Sequence, residues 1–188
     1  MRIIAGDFRG RALASVGKGD AGAHLRPTTD RVRESLFNVL AHKASFDPIT
    51  DARVLDLFAG TGALGLEALS RGASHVSFVD DGRKAQSLIR QNVEICRAQD
   101  KTKIIRNDAR RLAPNKDAPF DLIFLDPPYG KGLGELAIAA AIKGGWVASD
   151  ALIVWEDSAD IAPPDTLELL DQRKYGDTRI SILQATRV

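Results

Sequence analysis

The 188-residue sequence is poor in the groups that staple, anchor or metallate a protein. It has a single cysteine, Cys96, so no internal disulfide can form, which suits a reducing compartment. No run of about 18 apolar residues occurs, and a membrane-spanning helix is not expected. The first residues, Met1 to Gly10, lack the apolar core of a secretory signal. The three histidines His24, His42 and His75 are scattered without metal-ligand spacing, so no metal is expected. Repeats and low-complexity tracts are absent. What is present is ordinary for a globular protein, 44% hydrophobic and 27% charged, which excludes wholesale disorder and collagen-like sequence. A chain of this size buries about two-thirds of its unfolded surface and needs no staple. The expectation is a cytoplasmic monomer with one main domain.

Net charge is also small, +1, but it is unevenly placed. Residues 1–43 carry eight Lys/Arg against four acids, leaving 18 basic and 21 acidic residues beyond them. A basic head before an acidic body points to a polyanionic partner.

Within that head, Arg2–Ala5 and Arg11–Ala14 read as strands of a hairpin around the turn-like Gly6–Gly10. Residues 16–25 are Gly/Ala-rich and read as a loop. Thr29 or Asp30 can cap a following helix with an apolar face of Val32, Leu36, Phe37, Val39 and Leu40. Residues 1–25 are therefore expected to form a hairpin and loop attached to a domain over 26–188.

From residue 53 the pattern alternates. Strands are predicted at 53–58, 75–79, 103–106, 120–125 and 151–156, with helices at about 63–71, 83–98 and 133–144. This is the signature of an α/β fold, a parallel sheet covered on both faces. Runs at 167–174 and 179–186 flank Tyr175-Gly176-Asp177 and predict an antiparallel finish to a seven-stranded sheet. Cys96, Trp146 and Trp155 read as core residues.

The first strand leads into Asp56-Leu57-Phe58-Ala59-Gly60-Thr61-Gly62-Ala63-Leu64-Gly65. Gly60, Gly62 and Gly65 satisfy G-x-G-x-x-G between a strand and a helix, where the backbone must turn sharply and approach a ligand. Asp80 lies 20 residues after Gly60, placed to accept from both ribose hydroxyls of a nucleoside cofactor. The loop alone does not separate a dinucleotide from S-adenosylmethionine (SAM). Asp56 leans toward SAM, because a carboxylate there repels a pyrophosphate but accepts from an ammonium. Asn107-Asp108 can reach an adenine amine, and Asp108 is also a natural N-cap before Ala109.

The fourth strand ends in Asp126-Pro127-Pro128-Tyr129, where ligands of an open parallel sheet sit. Asp126 and the Pro127 carbonyl can accept the two hydrogens of an amine, the prolines fix the backbone, and Tyr129 can stack on a base for about 1–3 kcal/mol.

These motifs resemble SAM-dependent amino-methyltransferases, and more closely the bacterial RsmD-type family that methylates a guanine N2 in 16S ribosomal RNA. Arg2–Gly6 and Phe8–Arg11 are similar to that family's opening hairpin. Leu25–Asn38 matches its most distinctive stretch, and Phe58–Arg71 and Tyr175–Ile180 continue the likeness over nearly the whole chain. The resemblance implies a Rossmann-like methyltransferase fold with an added N-terminal hairpin and helix. It implies a SAM site at Asp56, Phe58, Gly60, Gly62, Asp80 or Asp81, Asp108 and Ala109, and an acceptor site at Asp126, Pro127 and Tyr129. It further implies 16S rRNA as partner, in an assembling small subunit, gripped by Arg2, Arg9, Arg11, Arg26, Arg31 and Arg33. In such enzymes the ribose-binding acid is often Glu, whereas here two aspartates stand in line. Three rivals remain at this point: a dinucleotide oxidoreductase, which leaves Asp126–Tyr129 unused; an adenine-N6 or protein-glutamine methylase; and a non-catalytic RNA-binding module, which has no need of the acids at 56, 80 and 126.

Overall fold

The structure, a computed structural model, describes residues 1–15, 29–43 and 47–186. Seven strands form one sheet: β1 (Arg53–Leu57), β2 (His75–Asp80), β3 (Thr102–Arg106), β4 (Phe120–Leu125), β5 (Val147–Asp157), β6 (Leu167–Tyr175) and β7 (Thr178–Ala185). Their order is β3-β2-β1-β4-β5-β7-β6. All pairs through β4–β5 are parallel, and β7 runs antiparallel to both β5 and β6. The mostly parallel α/β sheet with an antiparallel C-terminal strand is thus as expected.

Strand alternation splits the core in two, because successive side chains leave opposite faces. Val54, Phe78, Leu122, Phe124, Val154 and Ile182 pack under helices α1 (Asp30–Lys43), α2 (Ala63–Ser70) and α3 (Arg83–Cys96), with Cys96 buried among them. Leu55, Val79, Ile123, Leu125, Ile153 and Trp155 pack under α4 (Leu133–Lys143), as does Trp146. Parallel strands covered on both faces must be apolar throughout, and Leu122, Ile123, Phe124 and Leu125 are all buried. Gly65 lets α2 approach β2: a Cβ there would lie 2.5 Å from the Phe78 ring and 2.7 Å from Val76. The sequence pattern turns from β1 toward β2 on one side and β4 on the other, so the carboxyl ends of β1 and β4 open a crevice.

Two expectations are corrected. The N-terminal hairpin does not form strands; it closes on a single antiparallel bridge, Arg2 with Ala12. Its backbone groups instead serve α2, since Ile4 and Ala5 N–H donate to the Glu67 carboxylate at 2.8 and 3.1 Å. Phe8 N–H donates to Ser70 Oγ at 2.8 Å. Gly6 sits so close that a Cβ would lie 1.7 Å from the Ser70 carbonyl oxygen. Strand β5 starts four residues earlier than expected, because a shift in its pairing with β4 takes up the polar Ser149-Asp150 and places Asp150 at φ 63°. Thr29 Oγ accepts from Val32 N–H at 3.3 Å and starts α1 as anticipated. The boundary expected at residue 25 lies outside the described residues. Among those residues, no helix is long and apolar enough to cross a membrane.

Candidate active site

The glycine loop leaves β1 in left-handed backbone: Phe58 at φ 57°, Gly60 at 57° and Gly62 at 76°. Glycine takes this conformation freely, whereas Phe58 holds it at a cost of order 1–3 kcal/mol, a strain that gathers at ligand clamps. Two aspartates fix the loop from either side. Asp56 is buried and its carboxylate accepts the Gly65 N–H at 3.0 Å. Asp80 accepts Gly60 N–H through one oxygen and Gly82 N–H through the other, each at 2.9 Å. Burial pushes the Asp56 carboxyl up to about 8, against the opposing Gly65 hydrogen bond and with help from the nearby Asp80 charge. Asp80 is raised as well, mainly by burial, with its two N–H donors pulling the other way. Asp81, next along, is exposed.

This donor and acceptor set fits a SAM-like group. Asp56 stands at the end of β1, where a cationic ammonium would relieve its burial. Asp80 stands at the end of β2, half-buried and already oriented by the loop. Asp108 caps the 3-10 turn Ala109–Arg111, accepting from Arg110 N–H at 2.9 Å, and is also forked by the Arg110 guanidinium. The Arg110 pair holds the Asp108 carboxyl below the usual carboxylate range. Ala109 is buried behind it.

The tetrapeptide Asp126–Tyr129 follows β4 directly, and Asp126 N–H reaches the Leu57 carbonyl of β1 at 3.4 Å, tying the acceptor segment to the strand that carries the glycine loop. Pro127 is buried, Pro128 exposed and Tyr129 half-buried. Asp126 is raised well above the usual carboxylate value, first by burial, then by the charges of Glu156, Asp56 and Asp157. The Tyr129 hydroxyl donates to Glu156 Oε1 at 2.7 Å and lies 3.1 Å from Thr178 Oγ1. Tyr129 is itself pushed up, mainly by burial.

Glu156 and Thr178 were not legible as site residues. They reach Tyr129 only through the strand order that sets β5 beside β4 and β7 beyond β5, which no local motif encodes. The same hairpin ties back to α1, where Ser35 Oγ and Tyr175 Oη are 2.8 Å apart. Ser35, within one of the two distinctive stretches, is therefore a neighbour of Tyr175, which opens the other.

The arginines expected on RNA separate into kinds. Arg2, Arg9 and Arg31 are exposed. Arg11 is half-buried, its guanidinium donating to the Ile95 carbonyl at 3.0 Å and lying over the Phe8 ring. Arg33 corrects the reading. It is fully buried, paired with Asp30 at 3.0 Å and with Glu67 at 3.7 Å, and hydrogen-bonded to the Arg2 carbonyl. A phosphate cannot reach it; an internal carboxylate takes its charge instead. Arg26 lies outside the described residues.

A sheet of this order, with a glycine loop ending β1 and an acid-Pro-Pro-Tyr segment ending β4, has the architecture of a Rossmann-like methyltransferase. Comparison with known proteins narrows the class. The chain belongs to the family described as "Conserved hypothetical protein 95", whose pattern matches residues 1–184, and this is the RsmD-type family of the sequence motifs. It is 39% identical over 164 residues to ribosomal RNA small subunit methyltransferase D of Escherichia coli K12, covering 87% of this chain and 78% of that one. It is 38% identical over 189 residues to YlbH of Bacillus subtilis strain 168, covering 97% of each. The solved structure of yhhF from Escherichia coli superposes with a TM-score of 0.83 at 35% identity, over 100% of this chain and 99% of that one.

Proposed function

We propose that the chain is a SAM-dependent methyltransferase acting on the exocyclic N2 of a guanine in 16S rRNA. The observation that carries this reading is the join of two half-sites: Asp126–Tyr129 at the end of β4 is hydrogen-bonded to β1 where the glycine loop begins. The relative named for small-subunit rRNA methylation supports the substrate.

In this reading Asp56 takes the cofactor's ammonium and Asp80 its ribose, with Phe58, Gly60 and Gly62 shaping the loop and Asp108 and Ala109 beside the adenine. Asp80 is preferred to Asp81 because it faces the loop it holds. SAM, when bound, supplies an electrophilic methyl on a sulfonium whose thioether leaves as a neutral group. The protein's share is alignment and exclusion of water. Asp126 and the Pro127 carbonyl accept the two amine hydrogens and turn the nitrogen lone pair toward the methyl. As the nitrogen becomes cationic, Asp126 stabilises it, and one proton then leaves to Asp126 or to water. Tyr129 stacks on the base. Guanine N2 is unreachable inside a duplex, so the target is unpaired or flipped out.

Arg2, Arg9 and Arg31, with Arg11 and Arg26, supply phosphate contacts, so residues 1–25 serve the RNA side, and 26–188 carries the chemistry along with the contacts of Arg26 and Arg31. The preferred substrate is a partly assembled small subunit. Rates of methyl transfer on such particles and on protein-free 16S rRNA test this directly. Faster transfer on particles is expected, and equal rates contradict that preference.

A further inference from the structure

The acceptor site holds a second carboxylate whose place is set by register. Leu125 of β4 pairs with Trp155 of β5 in parallel, so Asp126 and Glu156 leave the sheet side by side, on strands about 4.8 Å apart. Phe124 and Val154, two residues earlier, pair with each other and pack in the same core layer. Asp126 and Glu156 therefore emerge on that face, the one that also bears Asp56, the register partner of Phe124. Glu156 is buried. The Tyr129 hydroxyl, 2.7 Å from its Oε1, holds the carboxylate against the ring proposed to stack on the base.

Burial and the Glu156 charge favour a proton on Asp126 in the empty site, and N–H donors facing it favour the ionised form, which accepts hydrogen bonds and donates none. Two such carboxylates side by side suit an edge that presents donors in a row. Guanine presents such an edge, with its N1–H next to the N2 amine. Adenine does not, since its amine stands next to N1, an acceptor whose lone pair would face a carboxylate. Asp126 alone reads an amine and cannot tell the two purines apart.

Resting on the guanine-N2 reading above, we propose that Glu156 accepts the guanine N1–H and is the residue that selects guanine over bases whose amine has no neighbouring ring N–H. Flipped bases are commonly read on this edge, and a site built to bond an N–H rejects analogues that turn a lone pair toward its carboxylate instead.

The test uses small-subunit RNA particles carrying guanine or 2-aminopurine at the target position. 2-Aminopurine keeps the amine and replaces N1–H by an acceptor. Methyl transfer from labelled SAM gives kcat/KM for each. The wild type favours guanine by about 100-fold or more. In Glu156→Gln, whose amide can donate to N1, the preference falls by roughly 10- to 100-fold. Glu156→Asp keeps the preference at a lower rate, and Tyr129→Phe, which keeps the ring but releases Glu156 from its hydroxyl, lowers the preference in part. A wild type that methylates both bases equally overturns the proposal, and so does a Glu156→Gln variant that loses both in parallel while still binding SAM. If Glu156→Gln does not fold, the wild-type ratio and Glu156→Asp decide: loss of preference in Glu156→Asp, with transfer retained, counts against the proposal. Failure of the parent reading looks different, because the wild type would then leave the guanine unmethylated altogether.

Discussion

Asp126 is where the chemistry concentrates. It is half-buried among other acids and held well above the ordinary carboxylate range by burial and by Glu156, Asp56 and Asp157. Replacing it by Asn keeps the shape but not the charge that steadies a cationic nitrogen. Asp126→Asn is expected to lower kcat by about 10²–10⁴-fold with the SAM Kd nearly unchanged, as read by single-turnover kinetics and calorimetry. Asp56 makes a prediction of different kind. Its folded carboxyl is raised to about 8 from 3.8, so between those values the folded state holds a proton that the unfolded state has lost. The stability of the cofactor-free protein should accordingly fall as pH rises from about 4 to about 8. Asp56→Asn should flatten that fall, with melting temperatures across pH as the check. Because an ammonium favours the ionised form, SAM binding near pH 7 should release a proton. Titration calorimetry in buffers of different ionisation enthalpy would reveal it, and buffer-independent heats would contradict the assignment. Asp56 and Asp126 were legible because each ends an apolar strand. Glu156 ends one too, but its meaning depends on which strand lies beside it.

At the scale of elements, α2 is the hub. All of its residues from Ala63 to Ser70 are buried. Glu67 at its centre takes two N-terminal N–H groups, Arg71 at 2.8 Å and the fully buried Arg33 at 3.7 Å. A glutamate in one helix and an arginine four residues after the Thr29 cap of another read locally as solvated. Their burial follows from the docking of residues 1–15 over α2, a long-range event with no periodic trace. Removing one partner of a buried pair strands the other charge, so Glu67→Ala should destabilise the fold by about 3–5 kcal/mol. The double variant Glu67→Ala with Arg33→Met should recover part of that loss, as measured by urea denaturation. An additive double variant would argue that the pair is not coupled. The same docking limits the hairpin to a short ladder. Ile3 N–H and Leu13 N–H still pair across it with the Arg11 and Met1 carbonyls, but Ile4, Ala5 and Phe8 N–H donate to α2 side chains. Ala14 exchanges hydrogen bonds with Asn92 at 2.7 and 3.0 Å. Strands β1, β2 and β4 were legible because strands buried on both faces leave mostly apolar runs, and the edge strand β3 because Ile104-Ile105 follows the turn after α3. The early start of β5 was not, because the polar, exposed Ser149-Asp150 and a shift in register interrupt its apolar run after Val147-Ala148.

For the whole molecule, the basic head and the strand-end crevice define an orientation for RNA. With Arg33 committed inside, the phosphate contacts proposed above fall to the exposed Arg2, Arg9 and Arg31, together with whatever Arg11 and Arg26 add. Arg9→Glu with Arg31→Glu should weaken RNA binding and lower the slope of log K against log salt by about 2, leaving SAM affinity intact. An unchanged slope would place the RNA elsewhere. The central claim is transfer of a methyl group to guanine N2 of small-subunit RNA, and one measurement tests it most directly. Particles from cells lacking this protein are incubated with labelled SAM and the purified chain, and their RNA is digested to nucleosides. The account predicts label as N2-methylguanosine with the wild type and none with Asp126→Ala. Label on adenine, or N2-methylguanosine formed equally by Asp126→Ala, would contradict it.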